Sequence, residues 1–131
     1  MKSFGFSKEN IVQEFGYDDD VNEDVRTIIE QETGEELVDE DYSYVVDGAI
    51  AWWRDEDGNG DDLADLFLDM KVNFSSEDAV CWLFVPGSRQ EGHVSAHIIE
   101  EAAVTAGLQV TSAAAAGEWS GVRLIPQSVR R

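Results

Sequence analysis

Two stretches of this chain decide its fold: YVVDGAIAWW at residues 44–53 and AVCWLFV at residues 79–85. Both are rich in β-branched and aromatic residues and nearly free of charge, which is typical of strands buried on both faces. Between them an acidic turn precedes Leu63, Leu66, Phe67 and Met70, whose spacing predicts an amphipathic helix. A helix between two such strands predicts that the strands are parallel neighbours in one sheet.

The sequence after the second strand predicts one more helix and a hairpin. Ser95 is suited to cap a helix that ends at Gly107, because serine is a common N-cap and glycine commonly follows a helix. Residues 108–116 and 119–125 then predict two strands joined by Gly117-Glu118. Two residues are too few for a crossover connection, so these strands must be antiparallel.

The sequence before the first strand predicts helices and acidic loop. Ser7 with Asn10, followed by apolar residues and Gly16, predicts a short capped helix. A second helix is predicted from about Asp20 to Gly34. No buried strand followed by a glycine-rich nucleotide loop is recognisable in residues 16–41.

These elements predict an α/β fold, an abbreviated Rossmann-like three-layer sandwich. We expect parallel central strands, a C-terminal antiparallel hairpin and helices on both faces. The 131 residues are expected to form a single domain. Within it we distinguish an acidic helical part (1–41), an α/β core (42–126) and a short tail (127–131).

The charge of the chain is concentrated in its first half. Residues 1–70 carry 22 acidic and four basic residues, a net charge of −18, whereas residues 71–131 carry a net charge of −1. Such a surface repels phosphates and anionic lipids, so nucleic acid and membranes are not expected as partners. No signal-peptide or membrane-length apolar stretch is present, and the lone Cys81 fits a reducing compartment. We therefore expect a cytoplasmic protein.

Several spaced motifs resemble one family of small uncharacterised bacterial proteins, mainly actinobacterial, known as a domain of unknown function. They include FGYDDD (15–20), TGEELVDEDY (33–42), WWRD (52–55), WLFVP (82–86) and GEWSGVRL (117–124). The resemblance covers roughly residues 9–126. It implies a Rossmann-like, methyltransferase-like core in a bacterial cytosol, and it carries over no activity and no catalytic residues.

A candidate ligand site follows from the predicted parallel strands, since ligands of open α/β sheets bind outside the carboxyl ends of the strands. Arg54 and Arg89 follow the two predicted strands, and His93 and Ser95 lie just beyond. These four residues would form an anion-binding rim. The alternative is that Arg54 pairs with neighbouring acids and Arg89 is solvated.

Neither a metal nor a cofactor is predicted. Asp55, Asp57 and Asn59 match the opening of a calcium loop, but Leu66 occupies the twelfth position, where a calcium loop needs glutamate. An acidic turn that caps a helix is the favoured interpretation. His93 and His97 are four residues apart but out of helical register if Ser95 is the N-cap.

Two functions from different classes remain open. The favoured hypothesis is a non-catalytic interaction or regulatory protein that presents an acidic surface, with Asp18, Asp19 and Asp20, to a basic patch on a protein partner. Trp119 is either an exposed anchor for that partner or a packing residue of the hairpin. The alternative is a small-ligand-binding or enzymatic domain related to methyltransferases, with its site at the rim. A homodimer is possible in either case.

Overall fold

The computed structural model describes residues 3–76 and 78–127, which form a five-stranded sheet with helices on both faces. The strand order is β1-β2-β3-β5-β4; β1, β2 and β3 are parallel, and β5 is antiparallel to both β3 and β4. Residues 128–131 of the expected tail lie outside the described residues. The elements are β1 (Val12–Phe15), α1 (Glu23–Thr33), β2 (Gly48–Trp52), α2 (Gly60–Lys71), β3 (Val80–Pro86), α3 (Ala96–Thr105), β4 (Leu108–Ala116) and β5 (Trp119–Pro126), with a short 3₁₀ turn at Asp55–Asp57 before α2.

The predicted central pair is confirmed. β2 and β3 are parallel neighbours, with Ile50 opposite Trp82, and every residue of β2 is buried. The predicted hairpin is also confirmed. β4 and β5 are antiparallel neighbours, and Ala116 and Trp119 are the pair next to the turn. Gly117 opens its two-residue turn at a φ of +66°, a conformation that glycine adopts without steric cost.

The short helix predicted over residues 7–16 is wrong. Val12–Phe15 instead form β1, which pairs in parallel with β2 and is buried along its whole length. Ser7 and Asn10 form a turn, in which the Asn10 side chain accepts from the Ser7 N–H at 2.9 Å. The apolar spacing suits a helix, but these residues are buried on both faces, as a strand requires. The part expected to be helical therefore contributes a strand to the sheet.

Helix α1 confirms the helix predicted from about Asp20 to Gly34. The N-cap is Asn22, two residues after Asp20, and its side-chain oxygen accepts from the backbone N–H of Asp24 at 2.8 Å. The helix ends at Gly34, which has a φ of +75°. The amide of Asn22 also donates to the carbonyl oxygen of Ala116 at 3.0 Å, and this bond ties α1 to the hairpin.

Two apolar clusters fill the space on the two faces of the sheet. One lies under α2 and α3 and includes Phe67, Leu83 and Leu108. The other lies under α1 and includes Trp52 and Phe84, whose rings stack with centroids 4.8 Å apart. Both clusters belong to one sheet, which confirms the layered α/β architecture.

Cys81 lies in the first cluster and is fully buried. Burial raises the pKa of its thiol to about 12, so it is a packing residue in this structure. No helix in the described part of the chain has the length and apolar character needed to cross a membrane.

Candidate functional site

Arg54 lies where the loops after β1 and β2 meet, and its side chain is 11% exposed. Its Nη1 donates to the carbonyl oxygens of Gly16 at 3.0 Å and Trp52 at 3.2 Å. Its Nε and Nη2 both donate to the carboxylate of Asp20, and its guanidinium lies 5.3 Å from the ring centroid of Trp119. We call this arrangement the Arg54 cluster.

The electrostatics of the Arg54 cluster are balanced internally. Burial lowers the pKa of Arg54, but hydrogen bonds and charge from Asp20 and Asp57 outweigh burial and raise the pKa overall. The hydrogen bond from Arg54 is the main reason why the pKa of Asp20 is lowered. The positive charge predicted to bind an anion is therefore already neutralised by the protein's own carboxylates.

The other predicted rim residues do not converge with Arg54. Arg89 is exposed in the loop after β3, and His93 Nδ1 lies 2.8 Å from the carbonyl oxygen of Pro86. Ser95 caps α3, as predicted, with its hydroxyl accepting from the N–H of Ile98 at 3.4 Å. The loops after β2 and β3 are in contact, since the N–H of Asp55 donates to the carbonyl oxygen of Gly92. Arg54 and His93, however, line different cavities.

The residues predicted to bind a partner are placed differently from one another. Asp18, Asp19 and Asp20 are all exposed, but the carboxylate of Asp20 is also held by Arg54. Trp119 is 7% exposed, and its Nε1 donates to the carbonyl oxygen of Asp20 at 3.1 Å. Its ring also packs edge-to-face against Trp52. Of the two roles considered for Trp119, an exposed anchor or a packing residue of the hairpin, the structure shows a packing residue.

A groove of about 850 Å³ lies beside the carboxyl ends of β1 and β2, and α2 forms its other wall. Among the described residues that line it, Arg54 is the one with a positive charge. We call this groove the acidic groove. It is lined by the acidic residues Asp18, Glu40, Asp41, Asp57 and Asp69 and by the aromatic and aliphatic residues Phe15, Tyr17, Tyr42, Trp52, Trp53, Leu66 and Val72.

The sequence does not point to two of the groove's aromatic residues, Tyr17 and Tyr42. Tyr17 and Tyr42 each lie next to acidic residues in the chain, and Tyr17 is 52% exposed in the structure. Aromatic residues interleaved with acids are the signal that was available. The side chains of the consecutive residues Trp52 and Trp53 leave opposite faces of the sheet. Both residues line the groove, but Trp52 is buried in the cluster under α1, whereas Trp53 packs partly buried against the cluster under α2 and α3.

The acidic turn before α2 is used for helix capping. The side-chain oxygen of Asn59 accepts from the N–H of Asp62, and the carboxylate of Asp62 accepts from the N–H of Asn59. The carboxylate of Asp57 likewise accepts from the N–H of Arg54 at 2.9 Å. In residues 3–76 and 78–127, no group of three or more histidine, cysteine or acidic side chains is arranged to hold a metal ion.

Comparison with known sequences places this fold in a family. The family model described as "Protein of unknown function (DUF3052)" matches residues 1–128. The chain belongs to the DUF3052 family. Uncharacterized proteins of Mycobacterium bovis and Mycobacterium tuberculosis are each 41% identical to it over 129 residues, covering 98% of this chain and 79% of the relative. The expected membership of a bacterial family of unknown function is confirmed.

Several solved structures similar to the DUF3052 chain are methyltransferases. The mitomycin 7-O-methyltransferase MmcR superimposes with a TM-score of 0.63 at 11% identity, covering 95% of this chain and 51% of that one. The chain thus spans about half the length of that enzyme. A ribosomal protein L11 methylase from Lactobacillus delbrueckii gives 0.57 at 15% identity, covering 95% and 73%. A magnesium protoporphyrin IX methyltransferase from Synechocystis with bound SAM gives 0.56 at 7% identity, covering 92% and 71%. These likenesses establish a Rossmann-like, methyltransferase-like fold.

The glycine in the loop after β1 is explained by packing inside the protein and not by a bound cofactor such as SAM. In Rossmann-like folds a glycine after a parallel strand lets the backbone approach a bound ligand. Gly16 occupies that position here with a φ of +74°, but a Cβ added to it would lie 2.3 Å from the carbonyl oxygen of Trp52. The close approach permitted by this glycine is to the end of β2 and the Arg54 cluster, so packing within the protein accounts for Gly16.

Proposed function

We propose that this DUF3052 protein is a non-catalytic interaction protein of the bacterial cytoplasm that binds a basic segment of another protein in its acidic groove. One observation carries the proposal. At the edge of the sheet where a Rossmann-like fold binds its ligand, the Arg54 cluster closes the ends of β1 and β2, and the space beside it is lined by five carboxylates.

The state of Arg54 supports a cationic ligand over an anionic one. Its guanidinium already has donors directed to Gly16, Trp52 and Asp20, so little hydrogen-bonding capacity is left for a phosphate or carboxylate ligand. Releasing it would leave two carbonyl oxygens in the part-buried rim without this partner.

The lining of the acidic groove suits a guanidinium or ammonium group. Carboxylates accept charge-assisted hydrogen bonds from arginine and lysine, and the faces of aromatic rings attract cations. Asp41 and Asp69 provide exposed carboxylates, and Tyr42 and Trp53 provide rings in the same groove. Arginine is the better match, because its planar head can stack on a ring and bind a carboxylate.

The charge of the whole N-terminal half supports the same class of partner. The 22 acidic residues of residues 1–70 create a negative potential around the groove that raises the association rate of a basic protein. The same potential repels nucleic acid and anionic membranes.

A second candidate function is a small-ligand-binding or enzymatic domain related to methyltransferases. It is favoured by the position of the groove, which lies at the carboxyl ends of two parallel strands in a methyltransferase-like fold. The close packing of Gly16 on Trp52 counts against a SAM cradle at the neighbouring position.

A titration with defined probes tests the proposal. An arginine-rich peptide, a glutamate-rich peptide of equal length and SAM are each titrated calorimetrically into the protein. We expect binding of the arginine-rich peptide alone, with an affinity that falls as salt rises from about 0.1 M toward 1 M. Binding of SAM without the peptide would support the second candidate and contradict the first.

Matched charge variants locate the binding surface. Asp41→Asn with Asp69→Asn removes two charges from the groove, whereas Glu35→Gln with Glu36→Gln removes two exposed charges elsewhere in the acidic half. We expect the groove variant to lose about fivefold in peptide affinity, since two exposed charge pairs at about 0.2–1 kcal/mol each contribute about 1 kcal/mol together. The control should stay within about twofold. Equal losses would show that the peptide responds to net charge and that the groove is not its site.

A further inference from the structure

Strand β4 forms the edge of the sheet opposite β1 and the acidic groove. Its partner β5 lies on one side of it, and its other side has no neighbouring strand in the described residues. Thr111, Ser112, Ala113 and Ala115 are all exposed. A nine-residue edge strand of this kind offers a row of backbone hydrogen-bonding groups to another strand.

This edge lacks two of the three devices that proteins commonly use to prevent strand pairing. Such devices are charged side chains, proline and bulges. Leu108–Ala116 contains neither a charged residue nor a proline. The register shift between Val110 and Ser112 is a bulge, and it leaves Ser112–Ala116 as a regular segment of small residues beyond it.

The surface next to the edge is also apolar. Val104 on α3 is 70% exposed, and Val110, Ala113 and Val122 line a cavity of about 270 Å³ between α3 and the hairpin. Glu100 lines the same cavity and supplies a charged border. An apolar patch with a polar border beside an open strand edge is a surface suited to pairing with another chain.

We propose that the occupant of this edge is a second copy of the chain, with the two β4 strands antiparallel about a two-fold axis near Ala114. Antiparallel pairing of identical strands is self-complementary, as a two-fold interface requires. Two chains of charge −19 repel each other, and their charge lies mainly in residues 1–70. Residues 104–127 contain one acid and one base, Glu118 and Arg123, so this end is where two copies can approach.

The hairpin geometry identifies the backbone groups involved. Ala116 and Trp119 flank a two-residue turn, so they exchange hydrogen bonds with each other, and Ala114 and Gly121 do the same two residues further on. The N–H and C=O groups of Ala113 and Ala115 therefore point away from β5 toward the open edge. The pairing would join two sheets into one and leave both acidic grooves free at its ends.

Sedimentation equilibrium of the full chain tests the proposal. We expect a dimer mass that is favoured as salt rises from about 0.1 M toward 1 M, because screening weakens repulsion between the acidic halves. This dependence is opposite to that expected for peptide binding in the groove, so the two proposals can fail separately. Ala113→Lys with Ala115→Lys should give a monomer, whereas Val45→Lys with Leu68→Lys, at exposed positions elsewhere, should stay dimeric.

A second variant addresses the backbone directly. Ala115→Pro removes an N–H that points away from β5, so the hairpin can persist while pairing is lost. Hydrogen exchange of the wild type should show the amides of Ala113 and Ala115 protected in a concentration-dependent way. A monomer at all concentrations and salts, or a dimer that survives both edge variants, would overturn the proposal. The homodimer proposal would also be overturned if the amides of Ala113 and Ala115 were protected from exchange only when a different protein is added, because the edge would then bind that protein.

Discussion

Arg54 joins the loops after β1 and β2, because its guanidinium donates to Gly16, Trp52 and Asp20. An arginine that follows a buried strand is correctly predicted to lie at the rim of a parallel sheet. What its charge does there depends on Asp20, which is 34 residues away in the chain and forms part of the loop after β1. The sequence does not reveal that pairing, because it predicts a helix from about Asp20 with no strand before it.

Arg54→Met tests the internal role of this residue. The change leaves the carbonyl oxygens of Gly16 and Trp52 without a donor that they have now, so we expect the free energy of unfolding to fall by about 1–3 kcal/mol. Urea denaturation measures it. Arg89→Met is the matched control at an exposed position and should change stability by less than about 0.5 kcal/mol. Equal effects of the two changes would show that the Arg54 cluster adds nothing to stability.

The pH dependence of stability tests the same cluster from its acidic side. The hydrogen bond from Arg54 lowers the pKa of Asp20 from its ordinary value of 3.8. The ionised Asp20 carboxylate therefore adds to the free energy of unfolding above about pH 4, and this stabilisation is lost as pH falls through the lower pKa of the folded state. We expect the stability difference between wild type and Asp20→Asn to shrink below about pH 4. A difference that stays constant down to about pH 2 would mean that the Asp20 carboxylate is not responsible.

At the scale of elements, the second half of the chain was predictable and the first strand was not. β2, β3 and the hairpin are continuous apolar runs between clear turn residues, and their pairing follows from connection length. β1 has four residues, and two of them are polar, Gln13 and Glu14. Both are buried because distant groups satisfy them, as when Arg26 and Trp52 donate to the Glu14 carboxylate. No local pattern encodes such partners.

Two glycines with nearly equal φ angles test the contact between β1 and β2. Gly16 has a φ of +74° and its added Cβ would meet Trp52, whereas Gly34 has a φ of +75° and nothing within 4 Å. Gly34→Ala should cost only the backbone strain, about 1 kcal/mol. Gly16→Ala should cost at least about 2 kcal/mol more, because the backbone at the end of β2 must move. Thermal or urea denaturation of both variants gives the comparison, and equal losses would contradict the close packing of the two loops.

For the whole molecule, the charge asymmetry was evident from the sequence but its placement was not. The acidic half surrounds a groove at one edge of the sheet, and the near-neutral half forms the opposite edge. The aromatic and aliphatic lining of the groove joins residues from four separate segments of the chain, including Tyr17, Tyr42, Trp53 and Leu66. Only the folded sheet brings these segments together, so the groove could not be found from spacing along the chain.

The four tryptophan indoles provide the most direct test of the acidic groove as a site for a basic segment. Trp52 and Trp53 both line the groove, but Trp52 is 1% exposed and its ring lies in the buried cluster under α1 with Trp82 and Trp119. The indole N–H groups of Trp52, Trp82 and Trp119 donate to Glu14, Phe4 and Asp20 inside the fold. The measurement is the NMR shift of each indole N–H during titration with an arginine-rich peptide and, separately, with SAM. We expect the peptide to shift the Trp53 signal and leave the other three nearly unchanged, and SAM to shift none. A shift of Trp53 with SAM, or no shift with the peptide, would contradict the proposed function.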